Sequence, residues 1–165
     1  MKRQILLLML VCNVVAYGQT KKETIDWLNS KFEMSPIVMS ETEQYTRFLK
    51  IKQDGSFSIQ SYNYSPRVLL PDLENYRWKT LFTGHFKDLS FNSVKTTIRN
   101  GKVFFYASCS SGKCIIQQNQ GRDDFSTYSA PEVLLGITSD TDLEERCKKA
   151  FVHLIKLCGG KKEAF

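Results

Sequence analysis

Cysteine is the residue type whose number and spacing come closest to a local chemistry in this chain, with five at positions 12, 109, 114, 147 and 158. Cys109 and Cys114 enclose Ser110-Ser111-Gly112-Lys113, a turn-forming composition. As the two ends of a hairpin loop they stand opposite each other and can form a disulfide. The disulfide is the leading expectation, although alternation with Val103, Phe105 and Ile116 also suits a reduced pair packed as small apolar side chains. Pairing of one of them with a helix cysteine is a third arrangement. Cys147 and Cys158 share one helix face but stand about 16 Å apart at 1.5 Å rise per residue, too far to bridge each other. Zinc is a poor fit, because Cys-x4-Cys lacks a second close pair of ligands.

The remaining reactive residue types form no recognisable constellation. His85 and His153 are the only imidazoles, and neither sits in a metal-binding or catalytic spacing. Gly112-Lys113 is not a phosphate-binding loop, since Ala107 stands where its first glycine belongs and Cys114 replaces the Ser or Thr. A nucleophile elbow and an HExxH zinc helix are both absent from the sequence. Asp123-Asp124 lies in a polar loop after Gly121, where adjacent acids serve as turn and solvation residues. No catalytic residue, metal site or cofactor is therefore predicted.

These side chains sit in a chain whose start reads as a secretory signal peptide over residues 1–18. Met1-Lys2-Arg3 precedes the apolar run Ile5 to Val11 and the small-residue stretch Val15-Ala16-Tyr17-Gly18. An apolar run this short cannot cross roughly 30 Å of hydrocarbon, so no membrane span is expected. Val11 before Cys12 disfavours a lipid anchor, because such a processing site wants a small residue there. Cleavage after Gly18 leaves residues 19–165 as one globular domain of 147 residues, with 21 basic against 17 acidic side chains. A net charge of +4 spread along the chain is mild, and export to the periplasm or medium removes intracellular nucleic acid from the expected partners.

The order of elements is helix, strands, helix. Thr20 with Glu23 forms a capping box for a helix over 20–33, with Ile25, Trp27, Leu28 and Phe32 on its apolar side and Pro36 beyond its end. Strands are predicted from 43 to 137. Arg47, Leu49 and Ile51 alternate with Lys50 and Lys52, and Asp54-Gly55 turns the chain into Phe57 and Ile59. Residues 65–76 carry Pro66 and Pro71 and read as a loop, while Asn100-Gly101 marks a second hairpin. A helix over 141–158 buries Leu143, Cys147, Ala150, Phe151, Leu154, Ile155, Leu157 and Cys158, with a capping box between Thr141 and Glu144 and a stop at Gly159-Gly160. The expected fold is α+β: a bent antiparallel sheet or partly open barrel of about seven strands, with both helices packed on it.

About seven antiparallel strands ended by one amphipathic helix resemble the pleckstrin-homology-like fold, over residues 43–158. The chain is also similar to small exported proteins of Bacteroidetes-type bacteria, mostly uncharacterised. That resemblance rests on Thr24-Ile25-Asp26-Trp27-Leu28, the Gly112-Lys113-Cys114-Ile115 segment, and Lys149-Ala150-Phe151 through His153-Leu154-Ile155. It implies a fold and an origin and transfers no catalytic residue. The basic cluster of phosphoinositide-binding members is missing, because no Arg follows Lys50 and Lys52 in the second strand. The function expected is a non-enzymatic binding module of the cell envelope that presents a groove or sheet edge to a protein, peptide or glycan. Its candidate surface is Ser110, Ser111 and Lys113, followed by Arg67, Tyr76, Arg77 and Trp78. The alternative is a carrier of a small apolar ligand, which requires a lined void of roughly 300 Å³ or more.

Overall fold

The structure, a computed structural model, describes residues 19–32, 35–40, 43–64, 78–120 and 125–161. Helix α1 (Lys21–Phe32) starts at the expected capping box. The Glu23 carboxylate accepts from the Thr20 backbone N–H at 2.8 Å and from its hydroxyl at 2.9 Å, and the Glu23 N–H donates to Thr20 Oγ1 at 3.2 Å. Thr24, Ile25, Leu28 and Phe32 are buried at helical spacing. Strand β1 (Ser35–Ser40) follows at once, eight residues before the first strand expected from the sequence. Pro36 falls on β1, the outermost strand of its sheet, the kind of strand to which proline is confined within sheets.

The described residues form nine strands, where about seven are expected. With β2 (Glu43–Ile51), β3 (Ser56–Tyr64), β4 (Trp78–His85), β7 (Ile115–Gln120) and β8 (Phe125–Ala130), β1 builds a six-stranded sheet in the order β1-β2-β3-β4-β7-β8. The second sheet has the order β5-β6-β9, from β5 (Lys95–Arg99), β6 (Lys102–Ser108) and β9 (Glu132–Thr138). All pairings are antiparallel, and neither sheet closes on itself. The two hairpin signals hold. Gly55 has φ +97° in the Asp54-Gly55 turn, and Asn100 and Gly101 have φ 50° and 69° between the paired residues Arg99 and Lys102.

The expected Cys109/Cys114 hairpin does not form. β6 pairs with β5 and β9, whereas β7 pairs with β4 and β8, so residues 109–114 carry the chain from one sheet to the other. The side-chain alternation restarts at this corner. Ile115 is buried and Ile116 is 48% exposed, the reverse of the sequence reading.

Helix α2 (Glu144–Leu157) is preceded by a 3₁₀ turn over Thr141–Leu143. The predicted Thr141/Glu144 box is replaced by other partners: Asp140 Oδ1 accepts from the Asp142 N–H at 3.0 Å, and the Glu144 carboxylate reaches the Thr96 hydroxyl on β5. Cys147, Ala150, Phe151, Leu154 and Ile155 are buried, but Leu143 and Cys158 are only half-buried and Leu157 is 42% exposed. The apolar arc is thus narrower than expected. Gly159, at φ +86°, donates to the Lys156 carbonyl at 3.0 Å and Gly160 to that of Ile155 at 2.8 Å, a Schellman stop.

Between the sheets and helices lies an aromatic core. Phe151 sits among Phe32, Phe86 and Phe105, with ring centroids 5.5, 6.4 and 5.7 Å away. Gly136 on β9 lets the Phe32 ring come close enough that an added Cβ would stand 2.6 Å from it.

Candidate functional site

The sulfurs of Cys109 and Cys114 stand at disulfide-bonding distance, with Cα atoms 5.7 Å apart. The corner around them is braced from three directions. The Cys109 N–H donates to the Pro131 carbonyl at 2.8 Å, the Ser110 N–H and hydroxyl both donate to the Asp88 carbonyl at 2.8 and 3.1 Å, and the Cys114 N–H meets Cys109 Sγ at 2.9 Å. Ser111, Gly112 and Lys113 are exposed, and Ser110 is half-buried by its contacts with the Asp88 turn. The predicted tip is therefore a braced elbow between sheets rather than the projecting end of a hairpin. Thiol titration of the denatured protein should count Cys147 and Cys158, plus Cys12 wherever residues 1–18 are retained, and not Cys109 or Cys114. Two further thiols mapped to those positions would show the corner to be reduced.

The helix cysteines are shielded. Burial pushes the Cys147 thiol up to about 11, against the smaller opposite pull of Lys31 and Arg146, and it raises Cys158 as well. Both are disfavoured as thiolates, the reactive form. His85 is structural: its Nδ1 accepts from the Lys87 N–H at 3.0 Å and caps the Phe86–Asp88 turn.

The second half of the predicted surface is not brought to the corner. Arg67, Tyr76 and Arg77 lie outside the described residues, as do Asp123 and Asp124. Trp78 begins β4 opposite Asn63, whereas Cys114 precedes the β7 end at which Ile116 pairs with Thr83. The two sit toward opposite ends of the β4–β7 ladder.

Two surfaces escaped the sequence reading. The first is β8, the edge of the larger sheet, whose residues 125–129 are all exposed; Phe125 is 69% and Tyr128 46% exposed. Phe125-Ser-Thr-Tyr-Ser-Ala130 contains no charge and no proline, the usual guards of a sheet edge. The Tyr128 hydroxyl is held by the Gln117 and Asn119 side-chain amides, each donating at 2.7 Å. Absence of an apolar alternation in β8 was the one available signal, since a strand with no buried face has no period to show.

The second is a cleft of about 350 Å³ outside the α1–α2 pair, lined by Gln19, Trp27, Arg146, Lys149, Ala150 and His153. It adjoins another of about 300 Å³ lined by Glu145, Lys148, Lys149, Val152, His153 and Lys156. The Arg146 guanidinium lies 5.5 Å from the Trp27 ring, and His153 Nε2 lies 2.8 Å from the Gln19 carbonyl oxygen. Nothing in the separate patterns of the two helices announced that Trp27 and Arg146 would meet.

Among the described residues no three His, Cys, Asp or Glu side chains converge as a metal site, and no helix is long and apolar enough to cross a membrane. Comparison with known protein families, with curated proteins and with solved structures returns no match.

Proposed function

We propose that this protein is an exported, non-enzymatic binding module of the bacterial cell envelope, periplasmic or secreted, and that it takes a partner's peptide segment along β8. The observation that carries this reading is the edge strand itself. An uncharged strand exposed on both faces, with two exposed aromatic rings, leaves backbone N–H and C=O groups and apolar area open to an added strand. The basic and apolar leader at residues 1–18 supports export.

A pleckstrin-homology-like ancestry within a Bacteroidetes-type group is supported by the strand order. Setting the β7–β8 hairpin aside leaves the meander β1 to β4, the sheet β5-β6-β9 and a C-terminal helix. On that reading β7–β8 is an addition, and its exposed edge is the part with a role of its own. The carrier alternative is less well supported, because packed phenylalanine rings lie between the sheets and helices, and the clefts described above open outside the helices.

The test uses the protein recovered from its own envelope or medium. Its intact mass should begin at Gln19, and chemical cross-linking should join a partner to β8. Thr127→Lys, at an exposed edge position, should reduce partner recovery at least tenfold while leaving thermal stability within about 0.5 kcal/mol. Undiminished recovery would move the interaction surface elsewhere, and a mass that includes residues 1–18 would overturn export.

A further inference from the structure

We propose that the paired clefts outside α1 and α2 form a binding groove for an acidic oligosaccharide, a site independent of β8. Four observations converge on this ligand class. The first is charge. Arg146, Lys149, Lys148 and Lys156 line the two clefts against one carboxylate, Glu145. Among the described residues the ion pairs are Lys22 with Asp26 and Lys95 with Glu132, so no described carboxylate forms a salt bridge with the groove's cations. An anion is the complementary occupant.

The second is preorganisation. Arg146 rests over the Trp27 indole at 5.5 Å, and Lys156 Nζ lies 4.9 Å from the Phe91 ring. Stacking limits the conformers of both side chains without consuming their N–H donors, and a planar guanidinium held this way can meet a carboxylate with two parallel hydrogen bonds.

The third is shape. Lys149 and His153 line both clefts, so the groove continues along α2 from Arg146 to Lys156, ten residues or about 15 Å at the helical rise. That extent suits a short oligomer with repeated charges better than one small anion. Trp27, Ala150 and Val152 supply apolar floor between the cations, as the C–H faces of sugar rings require.

The fourth decides between a saccharide and an acidic peptide. The groove is built on helical surface, whose interior N–H and C=O groups are already bonded within the helix. An extended peptide would find no main-chain partner there, in contrast to β8. A uronate chain needs only side-chain donors and a flat apolar floor, and the groove offers both.

The test is calorimetric titration of the purified protein with trigalacturonate, with neutral maltotriose and a hexaglutamate peptide in parallel. Saturable binding of trigalacturonate should weaken as salt is raised, with maltotriose silent and hexaglutamate at least tenfold weaker. Arg146→Gln and Lys149→Gln, both at exposed positions, should each weaken trigalacturonate about tenfold, while Lys113→Gln, which lines neither cleft, changes nothing. Circular dichroism melts of the three variants should coincide with the parent. No binding of trigalacturonate, equal binding of hexaglutamate, or equal losses from Lys113→Gln would each overturn the proposal. The last two would reduce the groove to a general basic surface.

Discussion

Phe151→Ala should destabilise the protein by about 3–5 kcal/mol, the largest loss expected from any single truncation on α2. The ring is fully buried and touches the rings of Phe32 from α1, Phe86 from the turn after β4 and Phe105 from β6. Its removal opens a cavity where both helices, the smaller sheet and a turn meet, so no single element can relax into the space. For a domain of this size each kcal/mol moves the thermal midpoint by roughly 2–4 °C. Lys149→Ala, two residues away on the exposed side, should stay within about 0.5 kcal/mol. Denaturant melts of both variants check the claim, and coincident midpoints would refute the role given to the aromatic cluster.

Arg47→Met should have the opposite sign, raising stability by about 1–3 kcal/mol. Arg47 alternates with Leu49 and Ile51 on β2 and is buried with them. Its Nη2 donates to the Leu134 carbonyl on β9, its guanidinium lies 5.1 Å from the Phe82 ring, and Nε has no partner. Burial pulls this guanidinium down to about 10, well below the ordinary arginine range, a penalty on the charged form on the order of 3 kcal/mol. Folding depresses the pKa of a cation here, so the penalty is fully present below about pH 10 and is relieved only as the pH rises from there toward the ordinary arginine range. Methionine removes the charge and keeps most of the length, while the orphaned Leu134 carbonyl returns about 1 kcal/mol of the gain. An unchanged or lower midpoint for Arg47→Met at neutral pH would mean that Arg47 is better compensated than its contacts indicate.

What could be read directly from the residues was decided by neighbours a few positions apart. The Thr20/Glu23 box, the Asp54-Gly55 and Asn100-Gly101 turns and the Gly159-Gly160 stop all depend on backbone conformations and contacts within one turn of chain. The inward placement of Leu49, Ile51, Phe151 and Leu154 follows from period alone. Local residues also put Cys109 near Cys114, because five residues around a tight bend bring the sulfurs together whether the bend closes a hairpin or turns a corner.

Tertiary structure decided which of those two bends it is. Strand pairing is a competition among distant partners: β9 takes the place beside β6, and β4 takes β7, an outcome absent from residues 109–114 themselves. The same long-range choice set the phase of β7, burying Ile115 and exposing Ile116, and sent Glu144 to Thr96 rather than to its own helix start. It left β8 at an edge with no face to bury, and it laid α1 beside α2 so that Trp27 meets Arg146. Periodicity says which side of an element is apolar. What packs against that side, and which cations and aromatics are thereby gathered on the other, is fixed only when sheets and helices share one core.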